Sequence, residues 1–437
     1  MNAQGRLDAS AGPPLSMFER IKASAAARQA ALVFSSSMFL NVAGFVFHAI
    51  ASRKLGVDAY GQLYALISAC TVVALPVGLA SPVIARFAAE FAALHDDSHM
   101  RAMTADVARW FGGIGAAGLV ASLLLAVPVA SFLHVPAFSV PIVAAIAAIV
   151  VLNASFRAIA QGTQSFAAFA ASVCAEGAGK VVAVGALLAL GFGLAGGVVG
   201  FLAGAVSGCA VIAIALVRRY RSVPAHSIHY DWKRIAISGL GAAAITITMT
   251  LVGNVDVVLV KHFFDASQAG LYSAASLGGK IMLYFVGFIP TILLPRVTDR
   301  HVRGEHTRQA LFTALVLLLV ISLCGIAAVK LFGLVLLHAL VGGAFDAAHG
   351  LLVGYTIAMA LLALILLLAS YGIATHRLAF AAPLVAGTLA TLSAMLFFHA
   401  TLAQVVEVLV AGMAVTAAVV TLAIGWQGWR STQCASP

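Results

Sequence analysis

Charge is scarce in this sequence. Of its 437 residues, 9% are Asp, Glu, Lys or Arg and 62% are hydrophobic, whereas a soluble globular protein has about 25% charged residues. So few charges cannot supply the polar shell of a soluble fold, which excludes that class. Apolar stretches of roughly 20 residues, enough to cross about 30 Å of hydrocarbon, recur from residue 30 to residue 426. We therefore predict an all-α polytopic membrane protein.

Cysteine and catalytic motifs are also sparse. The five cysteines show no C-x-x-C spacing and the thirteen histidines are scattered, so neither a disulfide framework nor a metal site is expected. The sequence contains no G-x-x-x-x-G-K-[ST], G-x-S-x-G or H-E-x-x-H motif. The connections between apolar stretches are short, the longest external one being 331–347, which leaves little room for a catalytic platform. The sequence thus indicates a protein that is not an enzyme and has no cofactor.

The apolar stretches predict twelve membrane spans. We divide them into an N-lobe at 30–217 and a C-lobe at 235–426, six spans each, joined by a cytoplasmic linker at 218–234 and flanked by cytoplasmic segments at 1–29 and 427–437. The spans are 30–51, 62–85, 110–133, 138–157, 167–190, 196–217, 235–260, 270–295, 309–330, 348–371, 379–399 and 404–426.

Lys and Arg are distributed unequally between the two sides of this topology. With a cytoplasmic N-terminus, 19 of the 25 lie in cytoplasmic segments, including Arg157 at the turn between spans 4 and 5, and four lie on the opposite side. Such a bias is the positive-inside signature of membrane proteins. It accounts for the net charge of +10 without a nucleic-acid partner.

The two predicted lobes share a short repeat. The segment "VDAYGQLYALIS" at 57–68 aligns with "ASQAGLYSAASL" at 266–277, which places Gly61 on Gly270 and Ala65 on Ala274. Each copy follows the first span of its set. Because six is even, both sets enter the membrane in the same direction, so we expect two lobes related by an axis along the membrane normal.

Ionisable residues inside spans indicate where chemistry takes place, because each costs about 2.5–3.5 kcal/mol to insert. Glu176 and Lys180 lie one helical turn apart in span 5, in the order that favours an ion pair. They either neutralise each other to ease insertion, or line an aqueous cavity where Lys180 contacts an anionic substrate and Glu176 holds it when the site is empty.

The second half supplies an ammonium without a local partner. Lys280 lies at mid-depth in span 8 with no carboxylate three or four residues away. It needs a ligand or a residue from another helix, and Asp256 in span 7 is a possible counter-ion. Asn41 lies at mid-depth in span 1. These residues predict a cation-lined central cavity between the lobes.

Small residues and prolines are interpreted as structural. Glycines at a four-residue interval in span 6 predict close helix packing and no chemistry: Gly196, Gly200, Gly204 and Gly208. Prolines within predicted spans can kink their helices: Pro76, Pro82, Pro128, Pro141, Pro290, Pro295 and Pro383.

Three stretches together resemble a known family. They are "ASRKLGVDAYGQLYALIS" after span 1, Arg86 at the end of span 2, and "NVDVVLVKHFFDASQAGLYSAASLGGKIMLYFVGFIPTILLPRVTD" at 254–299. They resemble bacterial polysaccharide-biosynthesis flippases of the multidrug/oligosaccharidyl-lipid/polysaccharide exporter superfamily. The resemblance implies two six-helix lobes that move an undecaprenyl-diphosphate-linked oligosaccharide from the cytoplasmic to the periplasmic leaflet of the bacterial inner membrane by alternating access.

The resemblance also implies residue roles. Lys180 and Lys280 match cavity cations that receive the diphosphate and sugar, Asp256 matches the Asp of the N-x-D stretch in span 7, and Arg53 belongs to the loop motif after span 1, with a substrate-binding or gating role. Asn41, from its depth in span 1, is a further substrate-binding candidate. Because a buried charge is costly, any proton or sodium coupling is expected to use Glu176 or Asp256. The expected partners are the lipid-linked glycan, the bilayer and the polysaccharide polymerase machinery. Three alternatives remain open: a multidrug exporter on the same fold, a peptidoglycan-precursor flippase, and a membrane-bound polymerase or transferase.

Overall fold

The computed structural model describes residues 17–224, 243–287, 308–375 and 378–433, together with Ile289 and Val297. All regular structure in these residues is helical, which confirms the all-α prediction. Several predicted features lie wholly or partly outside the described residues: the N-terminal segment up to residue 16, the linker from residue 225, the cytoplasmic stretch 298–307, and the end of the tail from residue 434. The predicted lobe and linker boundaries stay predictions.

Seven helices lie in residues 17–224, which include the predicted N-lobe. They are α1 (Met17–Val73), α2 (Leu75–Ala93), α3 (Asp97–Leu124), α4 (Ala126–Leu133), α5 (Ser139–Gly162), α6 (Phe166–Ala189) and α7 (Gly193–Tyr220). The pair α6 and α7 packs closely, α1 lies against α6, and α5 packs against α2, α3 and α7.

The long helix α1 is a hairpin of two arms. Gly56 has φ 73° and ψ −177°, a left-handed backbone conformation that glycine adopts without a Cβ clash. His48 and Tyr64 lie eight residues on either side of Gly56, yet their ring centroids are 5.2 Å apart. The arms before and after Gly56 are therefore antiparallel, and the turn between them marks one end of the molecule.

The described part of the predicted C-lobe begins at residue 243 with a broken span. Helix α8 (residues 243–252) and helix α9 (Val255–Phe263) are separated by a turn at Gly253 and Asn254. The sequence analysis does not predict this break. It is followed by α10 (Ala266–Val286), α11 (Arg308–Leu340), α12 (His349–Ala374), α13 (Ala381–Phe397) and α14 (Leu402–Gln433). Helix α11 and the 3₁₀ turn Gly343–Ala348 occupy most of the predicted external connection 331–347, so the helix ends ten residues later than the predicted end of span 9.

Ten helices of the described chain are long and apolar enough to span a membrane, which supports a multi-pass membrane protein. One of the ten, Ala31–Val73, contains parts of both arms of the α1 hairpin, and α10 is not among them. The predicted number of twelve spans stays a prediction.

Most of the described prolines begin helices. Pro76, Pro128, Pro141 and Pro383 all lie within the first three residues of α2, α4, α5 and α13. At these positions the missing N–H costs no internal hydrogen bond. Pro82 lies inside α2. At these four prolines a helix starts, in place of the predicted kink within a helix. Pro290 and Pro295, for which a kink is also predicted, lie outside the described residues.

The two lobes meet through the second arm of α1, which packs along α10 and α9. A close approach joins the two glycines that the repeat alignment superposes. A Cβ on Gly61 would lie 2.6 Å from the backbone N of Gly270, and a Cβ on Gly270 would lie 2.2 Å from the carbonyl oxygen of Val57. Equivalent positions of the two copies therefore face each other, as expected for elements on a pseudo-twofold axis.

Candidate functional site

A cavity with a volume of about 460 Å³ lies between the lobes. Small-molecule binding sites typically have volumes of about 300–1,000 Å³. Its walls come from both arms of α1, from α6, from the α8–α9 break and from α10. Asn41, Lys180 and Lys280 all line it. The two mid-span ammonium groups, one from each lobe, therefore share one cavity.

Lys180 lies in the N-lobe wall of this cavity. Its Nζ is 3.6 Å from Oε1 of Glu176, too long for a good hydrogen bond, and 5.4 Å from the ring centroid of Phe201. Gly204 on α7 makes room for this side chain, because a Cβ there would lie 2.6 Å from Cβ of Lys180. The glycine stripe thus packs as predicted and also makes space for a charged residue.

Glu176 is held mainly by Arg157, a residue that the sequence analysis places at a cytoplasmic turn. In the structure Arg157 belongs to α5, and its Nη1 lies 2.9 Å from Oε2 of Glu176. Asn153 donates to the same oxygen at 3.1 Å. The predicted pairing of Glu176 with Lys180 is thus present at 3.6 Å, and the sequence analysis misses the second cation, Arg157, which lies closer to the carboxylate.

Lys280 lies in the opposite wall and bonds across the lobe boundary. Its Nζ donates to the Tyr64 hydroxyl at 3.0 Å and lies 5.1 Å from the centroid of the same ring. The hydrogen bonds continue inward: the Tyr64 hydroxyl is 3.5 Å from Oγ of Ser276, and Ser276 donates to the Tyr355 hydroxyl at 2.9 Å. A chain of hydroxyl groups therefore leads from the cavity ammonium into the C-lobe.

Asp256 lies at the inner end of this chain and is fully buried. Its Oδ2 accepts hydrogen bonds from Tyr355 at 2.7 Å and Tyr272 at 3.0 Å. Within the part of the chain that the structure describes, its Oδ1 has no hydrogen-bond partner. The structure joins Asp256 to Lys280 through Tyr355, Ser276 and Tyr64, instead of by the direct ion pair that the sequence suggests.

Arg53 is not among the residues that line the cavity. Its guanidinium lies at the C-terminal end of α11, where Nη2 donates to the carbonyl oxygens of His338 at 2.8 Å and Ala339 at 2.9 Å. Nη1 donates to Ala49 at 3.0 Å, and lies 3.5 Å from the carbonyl oxygen of Leu340. A cation at a helix C-terminus is favourable because unpaired carbonyls point there. Arg53 therefore ties the α1 hairpin to the C-lobe.

Sequence reasoning misses several polar residues of the cavity wall. They are His48, Tyr64, Ser68, Thr71, Thr250, Asn254 and Tyr284. Single hydroxyl, amide and imidazole groups are common in apolar spans and carry no distinguishing spacing. Asn254 alone has a signal, since it follows Gly253 directly, and that pair marks the break between α8 and α9.

Comparison with solved structures identifies the architecture. An inward-facing multidrug resistance MATE family transporter of the MOP superfamily has a TM-score of 0.69 at 14% identity, over 93% of this chain and 100% of that chain. The lipid II flippase MurJ, in an inward closed conformation, has a TM-score of 0.68 at 11% identity, over 91% and 87%. At these identities the likeness shows the fold alone, which is a MATE- and MurJ-like transporter fold.

A MOP superfamily transporter from Pyrococcus furiosus Vc1, for which a reversed polarity of the binding pocket suggests a different function, has a TM-score of 0.57 at 17% identity, over 91% of this chain and 93% of that chain. No curated protein sequence matches the chain. The family model described as "Polysaccharide biosynthesis protein" matches residues 26–301, well over half of the chain. The chain therefore belongs to the polysaccharide biosynthesis protein family.

Proposed function

We propose that this protein is a flippase that moves a polyprenyl-diphosphate-linked oligosaccharide from the cytoplasmic to the periplasmic leaflet of the bacterial inner membrane. The observation that carries the proposal is the position of Lys180 and Lys280, one from each lobe, in the wall of one cavity. A diphosphate offers oxygens to both ammonium groups at once. Family membership and the transporter fold support the same assignment.

The cavity wall suits an amphipathic cargo. Polar groups for a diphosphate and sugars come from Asn41, Asn254 and Thr250, while Leu40, Phe45, Leu277 and Leu283 supply apolar surface. Hydrogen bonds to a charged group are worth about 1.5–3 kcal/mol each. Ligation of the diphosphate by both lysines would therefore favour the conformation in which the two lobes approach each other, which is how substrate binding would drive alternating access.

We assign closure of the periplasmic end of the cavity to Arg53 and to the contact between Gly61 and Gly270. In the proposed topology the Gly56 turn faces the periplasm, so the Arg53 bonds to α11 and the Gly61–Gly270 approach close that side. The described conformation is then closed at the periplasmic end. Outward opening requires these contacts to break, which makes Arg53 a gating residue in this proposal.

Asp256 is the favoured group for ion coupling. Burial of a charged carboxylate without a direct cationic partner is unfavourable, and a proton on Asp256 would remove the buried charge. Glu176, the other candidate, is already paired with Arg157. We therefore assign any coupling ion to Asp256 and take it to be a proton, with no further cofactor.

The alternative functions make different demands on the site. A multidrug exporter for cationic compounds needs acidic groups in its cavity, and none of the described lining residues is a carboxylate. A polymerase or transferase needs groups positioned for sugar transfer and would form a covalent product. Incubation of purified protein with lipid-linked sugars separates that class, because a flippase leaves the covalent structure of its cargo unchanged.

Complementation of surface polysaccharide tests the proposal. In cells that lack this chain, Lys180→Ala and Lys280→Ala should each fail to restore polysaccharide, since loss of a charged contact reduces binding about tenfold or more. Lys330→Ala is the matched control, because Lys330 is exposed on α11 and does not line the cavity. Full polysaccharide with both cavity variants, at equal protein in the membrane, would exclude the proposal.

A further inference from the structure

Arg157 and Glu176 form the ion pair behind the N-lobe wall of the cavity. Their side chains are 14% and 17% exposed, and Lys180 beside them is 9% exposed. Water therefore screens these charges weakly. Because one carboxylate lies between two cations, its position determines the electrostatic potential at the cavity wall. Arg157 has no role in the function proposed above.

The distances show that the carboxylate of Glu176 lies closer to one of its two cations than to the other. Glu176 lies 2.9 Å from Arg157 but 3.6 Å from Lys180. Planar guanidinium groups suit carboxylates better than an ammonium does, and Asn153 supports the same oxygen of Glu176. The three groups together carry one net positive charge, and of the two cations Lys180 is the one that lines the cavity.

The position of Arg157 is fixed by neutral partners. Its Nε donates to Oγ of Ser172 at 2.9 Å, and Ser172 donates to the carbonyl oxygen of Gly208 at 2.8 Å. A Cβ on Gly208 would lie 2.9 Å from Cβ of Glu176 and 3.0 Å from Nη2 of Arg157. Helix α7 therefore approaches closely at Gly208 and packs its backbone against the ion pair. This contact leaves no room for Arg157 to move toward α7.

We infer that Arg157 is a positioning residue that holds Glu176 and thereby keeps the Lys180 ammonium free for a phosphate group in the cavity. This inference rests on the proposed function, because it assigns Lys180 to an anionic ligand. Without Arg157, Glu176 would turn to Lys180 and neutralise it. The cavity would then present one ammonium, from Lys280, in place of two.

Binding of undecaprenyl diphosphate to purified protein in nanodiscs tests the inference. Arg157→Met keeps the bulk of the stem and removes the charge, and should weaken binding about tenfold, an ordinary coupling energy between contacting residues. Arg157→Met combined with Glu176→Gln removes the competing carboxylate and should recover binding to within about threefold of wild type. Arg109→Met is the control, because Arg109 forms an exposed ion pair with Asp106 on α3.

The double variant distinguishes positioning from a purely structural role, since a second substitution in the same network would not repair lost packing. If Arg157→Met alone does not fold, the double variant still decides, and binding as weak as that of Lys180→Ala would overturn the inference. Wild-type binding by Arg157→Met together with weak binding by Lys180→Ala would also overturn it, leaving the proposed function intact. Wild-type binding by Lys180→Ala would instead contradict the proposed function.

Discussion

Lys280 and Tyr64 belong to different lobes, 216 residues apart in sequence, and are joined by a 3.0 Å hydrogen bond at the cavity wall. The Tyr64 hydroxyl is also the first link of the chain toward Ser276 and Tyr355. One phenol group therefore connects the cavity, the lobe boundary and the buried Asp256.

Removal of this hydroxyl should loosen the lobe boundary. Tyr64→Phe deletes the acceptor of Lys280 and the neighbour of Ser276, and should reduce the stability of the closed conformation by about 1 kcal/mol or more. Distance distributions between spin labels on the two lobes would report the shift toward separated lobes. Tyr284→Phe is the control, because Tyr284 lines the same cavity and keeps its edge-to-face ring contact with Phe45 when only the hydroxyl is removed. Equal effects of the two variants would contradict the role of Tyr64.

Arg53 should hold the end of the molecule that carries the Gly56 turn. Arg53→Ala removes the guanidinium from the carbonyls of α11, and Arg53→Lys keeps the charge without the planar fork that reaches several oxygens. Both variants should increase labelling of a cysteine placed near the turn by a membrane-impermeant reagent, with a smaller increase for lysine. The neighbouring exposed Lys54→Ala should leave labelling unchanged. Unchanged labelling in Arg53→Ala would contradict the gating role.

The Gly61–Gly270 contact should tolerate no side chain. Gly270→Ala places a Cβ 2.2 Å from a backbone oxygen, so the lobes must separate or the backbone must shift. We expect a lower melting temperature and a larger distance between the α1 hairpin and α10. Gly118→Ala on α3 is the control, since its Cβ meets nothing within 4 Å and alanine favours a helix over glycine by about 1 kcal/mol. A melting temperature for Gly270→Ala at or above that of Gly118→Ala would refute the contact.

Asp256 should carry the dependence of transport on a proton gradient. Asp256→Asn retains the size of the side chain and acceptance from Tyr355 and Tyr272 while removing the titratable group. We expect transport in liposomes to become insensitive to an imposed pH gradient, whereas Glu176→Gln should remain sensitive. A gradient response retained in Asp256→Asn would exclude this residue as the coupling group.

The fold class and the two cavity lysines could be predicted from the sequence, because the patterns that indicate them are local. Long apolar stretches predict membrane helices, and an ammonium near the middle of one needs a polar environment. The repeat correctly pairs Gly61 with Gly270, since a glycine in the same place in both copies indicates a shared packing constraint. These inferences need no knowledge of which helices touch.

The interaction partners of the charged residues could not be predicted from such local patterns. Arg157 lies where the apolar stretch of span 4 ends, so hydropathy assigns it to a turn, although α5 continues to Gly162 and brings it to Glu176. The partners of Asp256 lie 16 and 99 residues away, a separation that no helical period specifies. The position of Arg53 depends on where α11 ends, and the apolar pattern places that end ten residues too early.

Translocation by purified protein in liposomes tests the central claim most directly. A fluorescent polyprenyl-diphosphate sugar is placed in both leaflets, and the fraction accessible to a membrane-impermeant quencher is followed with time. We expect rapid exchange between leaflets with the wild-type chain and with Lys330→Ala, and exchange at the rate of empty liposomes with Lys180→Ala/Lys280→Ala. Exchange by the double variant at the wild-type rate, or equal exchange of a lipid that lacks phosphate, would contradict the assignment of the cavity to a diphosphate-bearing cargo.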